Sequence, residues 1–252
     1  MRTIALSLLL ATALPGLAMT HAEADTLAAQ AGRAYAVGDH ATALALFDSA
    51  NTAFSSPALL YNIGNCHFKL NDIPHAILFY ERAMRLAPGD ADVQTNLELA
   101  RQNVVDRVDE LPRFSLGSTW GRIRGGKDAD HWARRSLWAS LSFFVVLAIA
   151  ASMRRRNVRR VLFVLCGVFF IGTILSVTFA SLRHNELTDD SEAIIMTAKV
   201  DVRSEPRDGS TVLFVLHKGT KVKILQQENA WSEVRLANGS VGWMPPASLE
   251  RI

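Results

Sequence analysis

Two uncharged apolar runs separated by a block of arginines constrain this chain more than any other feature. The first, 137–153, reads LWASLSFFVVLAIAASM, and the second, 161–182, reads VLFVLCGVFFIGTILSVTFASL. Between them lies RRRNVRR, from Arg154 to Arg160. A helix on the surface of a soluble protein carries polar residues on one face, and these runs carry almost none on any face. A spanning helix needs roughly 17 to 25 predominantly apolar residues, so the second run is ample and the first is at the short limit. Trp132, Trp138, Arg134 and Arg135 border the first run, where interfacial rings and snorkelling side chains extend its reach. The competing reading is a buried hairpin in a soluble core. Five arginines at its tip and two fully apolar circumferences disfavour it. The expectation is a transmembrane hairpin with helices over 137–153 and 161–182.

The net charge of +3 invites a nucleic-acid reading until the charges are placed. Asp25 to Glu110 holds six basic and eleven acidic residues, and Asp190 to Ile252 holds eight of each. The positive surplus sits in the arginine loop and in the stretch Leu111 to Ser136, with six basic and two acidic residues. The basic balance therefore reports membrane topology rather than a phosphate-binding surface, and no nucleic-acid partner is expected. The two cysteines, Cys66 and Cys166, fall in different segments, so no disulfide is expected between them. No histidine or cysteine pair stands at zinc spacing, and neither metal nor cofactor is expected.

The first residues, MRTIALSLLLATALPGLAMTHAEA, have the positive start, short apolar core and small-residue end of a secretory leader, 1–24. Ala22-Glu23-Ala24 offers the cleavage site, with Thr20-His21-Ala22 as the near alternative. An uncleaved third anchor competes, but the apolar core is too short to span. Export would place 25–136 outside the cytoplasm. The first apolar helix then runs inward, 154–160 becomes a cytoplasmic loop, as the positive-inside rule asks, and the second helix returns the chain outward. Arg134 and Arg135 on the outer flank argue weakly the other way.

From Asp25 to about Val108 the pattern is helical and repeats at an offset of 33 residues. Ala31 matches Gly64, Tyr35 matches Phe68, Gly38-Asp39 matches Asn71-Asp72, Ala43 matches Ala76, Phe47 matches Tyr80, and Ala50 matches Ala83. Small residues allow two antiparallel helices to approach, and the aromatics fill the space between them. This resembles the tetratricopeptide repeat, which implies a helical solenoid. Pro88 stands where that family often ends a repeat, and Asp90 is placed to cap a third helix covering the end of the array. Residues 109–136 read as a linker rich in glycine, in which Phe114, Trp120 and Ile123 beside Arg113, Arg122 and Arg124 suit a membrane surface. A flexible linker is an equal reading.

After a polar spacer, 183–192, the segment 193–252 alternates as short strands with turn signals at Asp208-Gly209, Lys218-Gly219 and Asn238-Gly239. The last is a candidate type I′ hairpin turn. Val202, Arg203, Pro206, Gly219, Val222, Trp231, Val234, Gly242, Trp243 and Leu249 fall in the order and spacing of a bacterial SH3 domain, which this segment resembles. Asp201 departs from the asparagine common in that family. The fold expected is thus a multi-domain membrane protein: an α-helical tetratricopeptide solenoid, a two-helix transmembrane hairpin and a small all-β SH3-like barrel.

No G-x-S-x-G elbow, H-E-x-x-H motif, P-loop or Rossmann glycine string occurs. Cys66 sits inside a repeat helix without the flanks of a papain-like nucleophile, so no enzyme is expected. Binding surfaces are the better candidates. By the repeat alignment, Tyr61, Asn62, Asn65 and Phe68 face the groove of a tetratricopeptide array, with Asn96 nearby; asparagines there can grip the backbone of an extended peptide. The alternative is that they only satisfy local contacts. Trp231 and Trp243 form either an aromatic platform or part of the barrel core, with the core favoured, above all for Trp243. Cys166, Gly167 and Gly172 mark a candidate close helix–helix contact.

The order of leader, repeats, hairpin and SH3-like domain resembles BatE among the aerotolerance (Bat) operon proteins. That resemblance implies a scaffold or chaperone-like support of an envelope stress complex. Its implied partners are membrane-anchored von Willebrand A-domain proteins and, indirectly, a MoxR-type ATPase. It also implies residence in the bacterial inner membrane with both soluble domains on the periplasmic side. A cell-wall module binding peptidoglycan through the SH3-like domain is the alternative.

Overall fold

The computed structural model describes residues 19–108 and 129–252. Residues 1–18 of the expected leader and the stretch 109–128, with Phe114, Trp120 and Ile123, lie outside the described residues. The chain forms two compact units that divide between Ser55 and Ser56.

The first unit contains α1 (His21–Ala36) and α2 (His40–Ala53). Thr20 and Glu23 form a reciprocal capping box at the start of α1, so the Ala22-Glu23-Ala24 triplet lies in its first turn. Gly38, at φ 86°, ends α1, with Gly38 N donating to Tyr35 O and Asp39 N to Ala34 O. This left-handed C-cap satisfies carbonyls that the helix leaves open. Asp39 then caps α2 by accepting from Thr42 N at 3.1 Å. Ala31, Ala43, Phe47 and Ala50 are buried, as the small-residue pattern requires.

The second unit begins with α3 (Pro57–Lys69) and α4 (Ile73–Leu86). The same C-cap recurs one repeat later: Asn71 sits at φ 61°, Asn71 N donates to Phe68 O and Asp72 N to His67 O. Ser56 caps α3 and Pro57 starts it, where a missing N–H costs nothing. A Cβ added at Gly64 would come within 2.7 Å of the Tyr80 ring, so the glycine is what lets these two helices close. The third helix, α5 (Ala91–Arg101), is capped by Asp90 as expected. It stops well short of Val108, because the residues after it leave the helix to pack elsewhere: Val104 joins the helical core and Val108 a second core.

The hairpin consists of α6 (Ala129–Ser152) and α7 (Arg156–Thr188). At 1.5 Å per residue they are about 36 and 50 Å long, and both are long and apolar enough to cross a membrane. Only 6% and 11% of their most apolar windows are buried, unlike the core helices of a soluble protein. Trp132 packs on Phe179 and Phe143 on Phe170, which makes the pair antiparallel. The connection is shorter than the seven-residue loop expected. Only Met153, Arg154 and Arg155 are outside helices, and Arg156, Arg159 and Arg160 stand in the first turns of α7. Cations there oppose the helix dipole, so their placement is not explained by helix stability. The expected polar spacer is also helical as far as Thr188. The contact expected at Gly167 and Gly172 is absent: a Cβ added at either meets nothing within 4 Å. Cys166 is buried, as is Cys66 on α3.

Seven antiparallel strands follow: β1 (Glu192–Ile195), β2 (Lys199–Arg203), β3 (Val212–His217), β4 (Lys221–Glu228), β5 (Trp231–Arg235), β6 (Val241–Met244) and β7 (Leu249–Arg251). They form one sheet in the order β3-β2-β6-β5-β4-β1-β7. Alternate residues Val200, Val202, Val222, Ile224, Val234 and Leu236 share its core, the period-2 signature of a half-buried strand. The β5–β6 turn differs from the type I′ form expected. Gly239 has φ 89° while Asn238 is not left-handed, Gly239 N donates to Leu236 O, and Leu236 N donates to Ser240 O. This is a three-residue loop with glycine as the single left-handed residue.

Candidate functional site

The sequence treats the repeats and the SH3-like segment as separate modules, but the second repeat and the sheet are fused. β1 is buried on both faces: Ala193 and Ile195 enter the sheet core, while Ile194 enters the core of α3–α5 together with Ile252. Full burial of an isoleucine side chain is worth about 1.5–3 kcal/mol, so neither part is indifferent to the other. The continuous apolar AIIM run is the sequence trace of this two-sided burial.

Polar contacts reinforce the seam. Glu81, buried on α4, accepts from Arg101 Nη2 at 2.6 Å and from Lys221 Nζ on β4 at 3.0 Å. Burial pushes its carboxyl up, but the Lys221 and Arg101 cations outweigh that and hold it below the usual carboxylate range. Asp106, on the segment after α5, accepts from His217 N at 2.6 Å and Thr220 Oγ1 at 2.7 Å, with His217 Nδ1 at 2.7 Å. Desolvation raises its carboxyl; the bonds from His217 and Thr220 prevail and lower it. Arg82 Nη2 donates to Arg251 O at 2.6 Å and Arg85 Nη1 to Ile252 O at 2.8 Å. Arg183 of α7, itself buried, donates to Arg85 O and Leu86 O, the open carbonyls at the end of α4. The hairpin is thereby tied to the same helix as the sheet.

Beside these contacts lies a cavity of about 580 Å³. Ile77 and Val104 give it an apolar wall; Arg107, Lys223 and Arg235 are exposed cations on its lining.

The groove candidates divide. Tyr61, Asn65 and Asn96 meet in one network: Asn65 Oδ1 accepts from Tyr80 OH at 2.7 Å and Asn96 Nδ2 at 2.9 Å, and Asn96 Nδ2 also reaches Tyr61 OH at 2.9 Å. Asn65 and Asn96 therefore fix α3, α4 and α5 to one another, using the acceptor a peptide amide would need. Phe68 packs against the helical core, and Asn62 is half-buried without joining the network. Trp243 is 9% exposed and pairs across the sheet with Glu233 and Arg203, leaving little face for a ligand. Trp231, half-buried at the start of β5, is the tryptophan able to touch one.

Residues that the sequence reading passed over are Glu81, Asp106 and His217, and a cluster of His67, Asp72 and His75 at the α3–α4 turn. No short-range spacing signals the first three; the bonds that join Glu81 and Asp106 to the sheet span more than 100 positions.

Comparison with known families bears on two segments. Residues 57–90 match the tetratricopeptide repeat family, and residues 198–250 match the bacterial SH3 domain family. The chain thus carries a tetratricopeptide repeat and a bacterial SH3 domain. No curated protein and no solved structure matches it. The two matched families are ones that bind proteins or cell-wall material, and the second suits a location outside the cytoplasm.

Proposed function

We propose that the protein is a membrane-anchored, non-enzymatic adaptor whose second repeat and SH3-like domain act as one rigid docking platform. The observation that carries this reading is their shared core at Ile194 and Ile252, with a cavity lined by both. A partner segment lying there touches both parts at once, and Arg107, Lys223 and Arg235 favour an acidic one. The antiparallel hairpin supports placing both parts on the same side of the membrane, and the arginines at its tip support that side being the outer one. In this reading the partners are those of a BatE-like protein: membrane-anchored von Willebrand A-domain proteins, with a MoxR-type ATPase acting through them.

Deleting the repeats would uncover Ile194 and Ile252, so point variants make the better test. Pull-down from membranes with the full chain should lose its protein partners in an Arg107→Glu/Arg235→Glu variant. Unchanged capture by that variant overturns the platform. Retained binding to purified wall material with no protein partner favours the peptidoglycan reading. Reporter fusions at Asp109, Asn157 and Asp189 test the topology: a cytoplasmic signal at either outer position refutes it.

A further inference from the structure

The α3–α4 turn assembles a group of side chains that the adaptor role does not use. His67 lies near the end of α3, Asp72 before α4 and His75 in its first turn. One ligand atom from each lies within 4.8 Å of the others. Nδ1 of His67 is 3.1 Å, and Nδ1 of His75 2.8 Å, from the same Asp72 Oδ2. The two rings stack with centroids 5.0 Å apart, and Phe79 stacks on His67 at 5.4 Å. Packing thus holds both imidazoles in place.

Three further observations point to a ligand. Asp72 makes no side-chain cap to its own helix, unlike Asp39 one repeat earlier; its carboxylate is turned to the histidines. Nδ1 of His75 is shielded from solvent and makes no hydrogen bond, although Asp72 Oδ2 is 2.8 Å away. At that separation the two atoms are spaced as neighbouring ligands of one ion. On the other edge of the ring, His75 Nε2 faces Glu250 Oε2 of the SH3-like domain at 3.7 Å, where a carboxylate orients a metal-bound imidazole.

We propose that His67, Asp72 and His75 bind a divalent transition-metal ion of the zinc class. Two imidazole nitrogens and one carboxylate oxygen suit Zn²⁺, whereas Ca²⁺ and Mg²⁺ require more oxygen ligands. Three protein ligands leave a fourth position for water or a partner side chain. A bound ion clamps the α3–α4 turn and, through Glu250, draws the repeat and the SH3-like domain together.

The test uses the full chain in detergent, purified without a histidine tag, titrated with Zn²⁺ by calorimetry and with Co²⁺ by visible absorption. One equivalent should bind, with ligand-field bands for Co²⁺. The His67→Ala/His75→Thr variant installs the residues of the first repeat, Ala34 and Thr42, and so should keep its fold by circular dichroism. It should bind at least about 100-fold more weakly, and Glu250→Gln about tenfold more weakly. Equal affinity in wild type and the folded double variant, with the remaining five histidines accounting for it, overturns the site. So does the absence of Co²⁺ bands in the wild type.

Discussion

The two repeats share one backbone plan and differ in what their outer positions do. Both turn at a left-handed residue before an aspartate, Gly38-Asp39 and Asn71-Asp72, and both bury small residues where the helices cross. At the offset of 33, however, Ala34, Thr42, Ser49 and Thr52 of the first repeat become His67, His75, Arg82 and Arg85 of the second. Gly32 becomes Asn65, and Phe47 becomes Tyr80. The first set ends at solvent or in local caps. Of the second set, His75, Arg82 and Arg85 reach the β domain, and Tyr80 with Asn65 anchors the Asn–Tyr network to α5. One repeat is only a repeat, while the other has become a docking face for the β domain.

The largest way to break this contrast is to remove Glu81. Truncating one partner of a buried charge cluster costs about 3–5 kcal/mol; partial exposure of Arg101 and Lys221 puts Glu81→Ala near the lower end. The equivalent change at Asp48 should cost less, because that carboxylate is exposed rather than buried. Thermal midpoints of the detergent-solubilised chain compare them, and equal shifts would show that the seam contributes nothing.

Gly64→Ala comes next. Its methyl would press on a Tyr80 ring that a hydrogen bond to Asn65 holds in place, an overpacking cost of about 1–3 kcal/mol. The first repeat already carries alanine at that point, Ala31, so the same methyl is tolerated there. A neutral result would mean that Tyr80 is free to move.

Acid should loosen the seam. Asp106 and Glu81 both titrate below their ordinary range in the folded chain. The stability they contribute is present above the unfolded carboxylate value near 4 and is lost as pH falls through the lower folded values. Between about pH 5 and 2, hydrogen-exchange protection factors, corrected for the intrinsic rate at each pH, should fall more at β3 and β4 than at α1 and α2. Asp106→Asn should remove part of that pH dependence; an unchanged profile would assign it to other groups.

The smallest change is Tyr80→Phe, which gives the second repeat the residue of the first. It leaves Asn65 Oδ1 with one donor in place of two and should cost about 1 kcal/mol, read as a modest fall in midpoint with the seam intact.

Much of the fold was legible because it is local or periodic. The repeat offset, the caps at Asp39 and Asp90, the alternation of β4 and β5 and the glycine turns each lie within a few residues of chain. Where expectation and structure part, a distant contact intervened. α5 ends early because Asp106 and Val108 pack on the sheet, and α7 runs past its apolar run as far as Thr188, where Arg183 serves the end of α4. Repeat spacing places Tyr61, Asn65 and Asn96 towards a groove; the structure brings them together as a bridge between three helices, a role that spacing alone does not distinguish.

By itself the sequence determined the pair of apolar helices, the helical repeat and the β-rich segment, because hydrophobic period and turn chemistry are properties of short stretches. Only the tertiary structure decided that the second repeat and the β segment share a core. It alone joined Glu81 to Lys221, Asp106 to His217, and His75 to both Asp72 and Glu250. Those partners stand as far as 175 residues apart, and no local pattern encodes which side chain a distant strand will meet.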